Sequence, residues 1–253
     1  MRTILVTNDD GVQSTGIHAL ARALAPLGAV TVVAPMAESS AIGHALTLAR
    51  PLRLETVSPG VYAVDGTPTD CVNIAITQVL PSKPDLIVSG INKGYNLGDD
   101  VTYSGTVAGA LEAALLGVPG IAVSLERRRD AEFDFSRAAA AAASIAASVL
   151  DRGLPPRTLL NVNVPRVVSK GFKITVQGTR NHITQVTACV DPRGRPYFWI
   201  EEGQDEWELN DRSDHAAVKA GYISVTPLQP DLTHHSALDA LEGLSFETPV
   251  AVD

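Results

Sequence analysis

The chain has only two cysteines, Cys71 and Cys189, far apart and outside any C-x-x-C spacing, which excludes a disulfide framework and a cysteine-based zinc site. Both are expected to be buried thiols. No uncharged apolar run reaches the roughly 18 residues of a membrane span. The N-terminus opens on the strand pattern Ile4-Leu5-Val6, not on a basic segment followed by a long apolar one. A cytoplasmic protein that meets no membrane is the default expectation.

Basic clusters are missing as well. The formal charge is −8, and an acidic surface repels the phosphates of DNA and RNA, so no groove for a nucleic-acid polymer is expected. A phosphorylated ligand would need a locally positive site, either a metal ion or a helix N-terminus, which favours a small nucleotide. The chain shows no internal repeat and no linker long enough to separate independent domains. With 45% apolar and 19% charged residues it is neither disordered nor fibrous, and 253 residues can bury a substantial core.

Short β-branched runs alternate with helical patterns through the first 165 residues, the signature of a Rossmann-like, doubly wound, mostly parallel α/β sheet. Strands are predicted at Thr3–Thr7, Val30–Ala34, Asp85–Ser89, Gly120–Ser124 and Leu159–Val164. Ile17, Leu20, Ala21, Leu24 and Leu27 recur at helical spacing, and Gly28 reads as the C-terminal stop. Further helices are predicted from Thr69 to Leu80, capped by Thr67 or Thr69, from Thr106 to Leu116, and over the Ala-rich stretch Phe135 to Leu150. Beyond Pro165 the texture changes to strands at Phe172–Gln177, Thr184–Val190 and Tyr197–Ile200. The reading is one domain: a core of about 1–165 plus 220–228, a β-rich arm of about 166–219, and a tail of 229–253. Tyr222–Thr226 returns to the core as a strand, and a short helix is expected near Ser236–Leu244.

Chemistry concentrates in three loops. Asn8-Asp9-Asp10-Gly11 follows the first strand, at the carboxyl edge where open parallel sheets bind ligands. Adjacent carboxylates repel, and a hard divalent cation would relieve that repulsion; a turn that merely caps the next helix is the plainer alternative. The stretch from Ser89 to Thr106 is long, Gly-rich and amide-bearing. It offers Asn92 and Asn96 as neutral oxygen ligands, and Ser104, Gly105 and Thr106 at a helix start where phosphate is favoured, although Ser104 and Thr106 also read as caps. Lys93 could pair with the anion, although an exposed lysine ordinarily contributes nothing. The third loop, Pro35 to His44, reaches the same sheet edge with Ser39 and Ser40, and composition does not choose between these serines. His44 reads as a satisfied structural histidine before a general acid.

Together these segments resemble the SurE family of phosphatases, also called survival protein E or 5′/3′-nucleotidase. The resemblance rests on Ile4 to Gly11, Val33-Ala34-Pro35 with its serine loop, Gly66-Thr67-Pro68-Thr69-Asp70-Cys71-Val72, Val88-Ser89-Gly90-Ile91-Asn92 through Gly109, and Ala220 to Leu228. It implies a metal site of Asp9, Asp10, Ser40 and Asn92, with Ser39 a neighbouring competitor, holding one divalent cation: Mg²⁺, Mn²⁺ or Ca²⁺. It also implies an arm exchanged between subunits, a homodimer or homotetramer, and nucleoside monophosphates as substrates. Asn96, Ser104, Gly105 and Thr106 would hold the phosphate. Asp9 and Asp10 would be catalytic, one of them taking the proton of an attacking water that the cation activates. An aspartyl-phosphate route is the rival, though the Asp-x-Asp spacing that separates nucleophile from acid is missing. Two departures, Val12-Gln13-Ser14-Thr15-Gly16 without the frequent proline and Met36 for a frequent aspartate, bear on substrate preference and leave the ligand set intact. The functional alternative is a non-catalytic nucleotide-binding regulator. A dehydrogenase is excluded by the lack of G-x-G-x-x-G after the first strand.

Overall fold

The computed structural model describes residues 1–127, 132–167 and 170–245; for 181–184 and 201–205 it describes the backbone alone. The main sheet contains β1 (Thr3–Thr7), β2 (Ala29–Pro35), β3 (Leu54–Ser58), β4 (Val61–Val64), β5 (Leu86–Lys93), β6 (Gly120–Leu125), β7 (Leu159–Val164), β8 (Phe172–Ile174) and β11 (Ile223–Leu228). The helices are α1 (Thr15–Leu24), α2 (Pro68–Ile74), α3 (Gly105–Leu115), α4 (Ser136–Arg152), α5 (Asp214–Lys219) and α6 (Leu238–Leu241). The strand order is β3-β4-β2-β1-β5-β6-β7-β11-β8. From β4 through β7 neighbouring strands are parallel, whereas β3 and β11 each run antiparallel to an inner neighbour, β4 and β7. The mostly parallel α/β class therefore stands.

Alternation within each strand divides the core. Ile4, Val6, Leu86 and Val88 face α1 and α4, while Leu5, Val33 and Ile87 face α2 and α3. A sheet covered on both sides needs apolar residues at every position, which is why these strands read as continuous hydrophobic runs. The small side chains of α4, notably Ala138, Ala142 and Ala146, are fully buried and seat that helix close to the sheet.

Several expectations are corrected. The hairpin β3–β4 and helix α5 escaped the sequence reading; β3 is exposed along its whole length and short, so it shows no alternation to detect. Only the first turns of the second predicted helix are α-helical: Thr67 and Asp70 form a capping box, and Ala75–Val79 continues as a π-helix. Gly28 is not a left-handed stop, since its backbone is extended (φ 171°). It is glycine because a Cβ there would lie 2.4 Å from the Arg2 carbonyl oxygen. Cys189 is only half-buried, being on an outlying hairpin.

That hairpin, β9 (Arg180–Val190) with β10 (Pro196–Trp207), pairs only with itself, whereas β8 joins the main sheet beside β11. A short 3₁₀ turn and α6 occupy the region of the last predicted helix. Residues 246–253 of the expected tail lie outside the described residues. Among the described residues no helix is long and apolar enough to cross a membrane.

Candidate active site

β1 has β2 on one side and β5 on the other, so the chain reverses its winding direction there and opens a crevice at the carboxyl ends. Gly11, at φ +92°, turns the chain out of β1. Asn8 braces the turn: its Nδ2 donates to the Gly11 carbonyl at 3.0 Å and to Ser14 Oγ at 2.9 Å, and Ser14 in turn caps α1. The Pro35–His44 loop is tied to the same place, because the Ser39 amide donates to the Asp9 carbonyl at 2.8 Å.

Asp9 is 6% exposed. Thr106 Oγ1 donates to its Oδ1 at 2.5 Å. Gly105 lies so close that a Cβ there would sit 2.7 Å from the Asp9 Cβ. Burial pushes the Asp9 carboxyl up to about 6; the Thr106 hydrogen bond opposes the shift and the charge of Asp10 adds to it. Asp10 is also raised by burial, which outweighs the attraction of Lys93. Lys93 Nζ stands 3.5 Å from Asp10 Oδ1, so the lysine read in the sequence as at most a partner for the anion pairs with the acidic pair. Asp10 Oδ2 and Asn8 Oδ1 are buried without a hydrogen-bond partner.

The loop after β5 supplies the facing wall. A bulge against β6 between Gly90 and Asn92 re-aims the strand end. Gly90 is required there, since a Cβ would lie 2.4 Å from the Val123 carbonyl oxygen. The Gly90–Ile91 peptide is cis. Asn92 Nδ2 donates to the Gly94 carbonyl at 3.0 Å, and Ser40 Oγ donates to Glu38 Oε1 at 2.7 Å. Ser104 caps α3, accepting from the Val107 amide at 3.1 Å. The amides of Gly105 and Thr106, first in the helix, have no acceptor within it.

Six of the eight residues singled out in the sequence, Asp9, Asp10, Ser40, Asn92, Asn96 and Ser104, line one cleft of about 1630 Å³. Gly105 and Thr106 stand behind Asp9 and are fixed against it. Ser39 does not line the cleft. Neither does His44, whose Nε2 meets Glu112 Oε2 at 2.7 Å. Burial alone would raise Glu112, but hydrogen bonds from His44 and Asn73 hold it below its ordinary value. His44 thus anchors the serine loop to α3.

The sequence reading missed Tyr95, Glu126, Arg127, Trp207 and His215, which also line the cleft; Trp207 and His215 stack at 4.2 Å between centroids. They come from four separate places in the chain, and no local motif marks them. Asp214 was missed too. It accepts from the Gly98 amide at 2.9 Å and the Gly178 amide at 3.0 Å, joining the loop after β5 to the base of the hairpin.

The family described as Survival protein SurE matches residues 4–184, more than half of the chain. The chain belongs to the SurE family. Among its SurE relatives, the 5′-nucleotidase SurE of Syntrophotalea carbinolica is 53% identical over 96% of this chain and 97% of its own length. That of Geobacter sulfurreducens is 54% identical over 94% of this chain and 92% of its own length. The crystal structure of the SurE protein from Aquifex aeolicus superposes with a TM-score of 0.84 at 44% identity, covering 95% of this chain and 98% of that one. The nine-stranded order and the separate hairpin are thus those of a SurE fold.

Proposed function

We propose that the protein is a metal-dependent phosphomonoesterase that hydrolyses nucleoside 5′-monophosphates to nucleoside and phosphate. The observation that carries this reading is the buried Asp9 beside the half-buried Asp10, set against the N-terminus of α3 in a single cleft. The relatives named 5′-nucleotidase support its extension to this chain.

The acidic pair suits one divalent cation, Mg²⁺, Mn²⁺ or Ca²⁺. Asp10 Oδ2 lacks a partner, Lys93 already supplies positive charge at Asp10 Oδ1, and the available donors are hard oxygens. Among the described residues no three His, Cys, Asp or Glu side chains cluster, so two carboxylates must be completed by neutral oxygens. Asp9, Asp10, Ser40 and Asn92 would hold the ion, which when bound supplies Lewis-acid charge for the phosphate and for the attacking water.

The remaining roles belong to the chain itself. Ser104 and the Asn96 side-chain amide hold the phosphate in the cleft where the helix N-terminus favours negative charge, with Gly105 and Thr106 set behind Asp9. Asp9 or Asp10 accepts the proton of the attacking water. Thr106 keeps Asp9 in one orientation, so the acceptor is already aligned when substrate arrives.

The β9–β10 hairpin is read as an arm exchanged between subunits of a dimer or tetramer. Val186, Phe198, Trp199 and Ile200 are all exposed on it, the last at 77%. The division into core, arm and tail is part of the same proposal; within the arm's span, β8 pairs with β11 of the main sheet and α5 packs on β11. The two unpaired cysteines suit the reducing cytoplasm.

Phosphate release from AMP tests the proposal. Activity should appear with added Mn²⁺ or Mg²⁺, vanish with EDTA and return on adding metal. Hydrolysis indifferent to EDTA and to Asp9→Asn would overturn it. Light scattering on Trp199→Asp should show a smaller assembly than the unaltered protein.

A further inference from the structure

Asn96 is gripped from behind by side chains to which no role has yet been given. Its amide N–H donates to Asn163 Oδ1 at 2.8 Å, and its carbonyl accepts from Asn161 Nδ2 at 2.8 Å and Asn163 Nδ2 at 3.0 Å. Its side-chain Nδ2 donates to Ser124 Oγ at 2.7 Å. Ser124 on β6 and Asn161 and Asn163 on β7 are fully buried.

Placing two amides at adjacent positions on one face of an inner strand is costly. They share that face with Leu159, which packs against Val107, Ala110 and Ala114 of α3, so aliphatic side chains would simply extend that cluster. Asn161 Oδ1 is moreover left without a partner. Gly94 still donates to the Leu125 carbonyl of β6, but beyond it the backbone of Asn96 is satisfied by these two asparagine side chains in place of a strand ladder. Ser124 then takes one of the two amide protons of Asn96, leaving the other for a ligand in the cleft.

We infer that Ser124, Asn161 and Asn163 are positioning residues that fix the Asn96 amide in the orientation in which it binds phosphate. This rests on the phosphate role proposed above for Asn96. None of the three touches Asp9 or Asp10, so their effect should fall on phosphate and spare the metal.

The test compares Ser124→Ala, Asn163→Ala, Asn96→Ala and the double variant Ser124→Ala/Asn96→Ala. Inorganic phosphate binding is titrated calorimetrically with saturating Mn²⁺, Mn²⁺ binding is titrated separately, and KM for AMP is measured alongside. Ser124→Ala removes one oxygen atom, and thermal unfolding verifies that the fold is kept. Ser124→Ala and Asn163→Ala should each weaken phosphate binding and raise KM about five- to tenfold. Mn²⁺ affinity should stay within about twofold. The double variant should bind phosphate no more weakly than Asn96→Ala alone, because Ser124 acts only through Asn96. Additive losses, a parallel loss of Mn²⁺ affinity, or unchanged phosphate binding in Ser124→Ala would overturn the inference while Asn96→Ala still binds weakly. If Asn96→Ala itself binds phosphate normally, the phosphate role of Asn96 falls and the inference falls with it.

Discussion

Thr106 and Asp9, 97 positions apart, share a 2.5 Å hydrogen bond in which the hydroxyl on the first turn of α3 donates to a carboxylate at the end of β1. The bond joins the two halves of the site, the acidic pair and the helix N-terminus, and it is sealed from water. Both residues therefore influence the same carboxyl group.

Replacing Thr106 with Val should remove the donor while keeping the shape. Asp9 would lose a bond that favours its charged form, so its pKa should rise further above 6. The fold should lose about 1–3 kcal/mol at neutral pH, where the carboxylate is buried with one partner fewer. Denaturant unfolding of Thr106→Val and Thr106→Ser checks this, with Ser expected to recover most of the loss.

Asp9→Asn should lower turnover by at least about a hundredfold through loss of metal binding and of the proton acceptor. The same change should stabilise the metal-free protein at pH above 7 by on the order of 2–3 kcal/mol, because it removes a buried ionised group. Chemical unfolding in EDTA would reveal the gain; a destabilised variant would show that Asp9 is not strained by burial.

The pH dependence has a definite sign. The folded Asp9 pKa of about 6 lies above the ordinary 3.8, so the folded state holds its proton more tightly. In EDTA the contribution of Asp9 to stability is complete below about 3.8 and is lost as pH rises through about 6. Metal binding needs the carboxylate, so affinity for Mn²⁺ should climb through the same window and level off above it. Melting temperatures recorded across this range with and without Mn²⁺ should therefore diverge as pH rises; curves that stay parallel would contradict the assignment.

Gly105→Ala should be worse than an ordinary glycine replacement in a helix. A methyl group there meets the Asp9 Cβ at 2.7 Å and the carboxylate Oδ2 at 2.9 Å. Overpacking of this kind costs about 1–3 kcal/mol. It should also displace Asp9, so Mn²⁺ affinity is expected to fall along with stability. Gly243→Ala, where nothing lies within 4 Å and the backbone is not left-handed, serves as the control for adding a methyl group without overpacking.

Much of this was legible in the chain. Strands β1, β6 and β7 fell within a residue of their predicted ends, because buried parallel strands must be apolar at every position and are punctuated by Gly, Pro and Asp. The loops carrying Asp9, Ser40, Asn92 and Ser104 were placed at carboxyl strand ends by the alternation of strand and helix, so their convergence followed from topology. What was not legible arises where contact crosses long stretches of sequence. Lys93 read as at most a partner for the anion, yet the bulged end of β5 brings it to Asp10. Asn161 and Asn163 lie inside a strand predicted from the sequence, and only the fold brings them to the backbone of Asn96.

By itself the sequence determined the mostly parallel sheet, the edge at which the site lies and the residue types gathered there, because these follow from period, turn chemistry and family motif. Only the tertiary structure decided how Asp9 and Asp10 differ. One is locked to Thr106 and pressed against Gly105, and the other faces Lys93 with an oxygen left free. That difference depends on distances between α3, β1 and β5, which side-chain packing sets and no local pattern encodes.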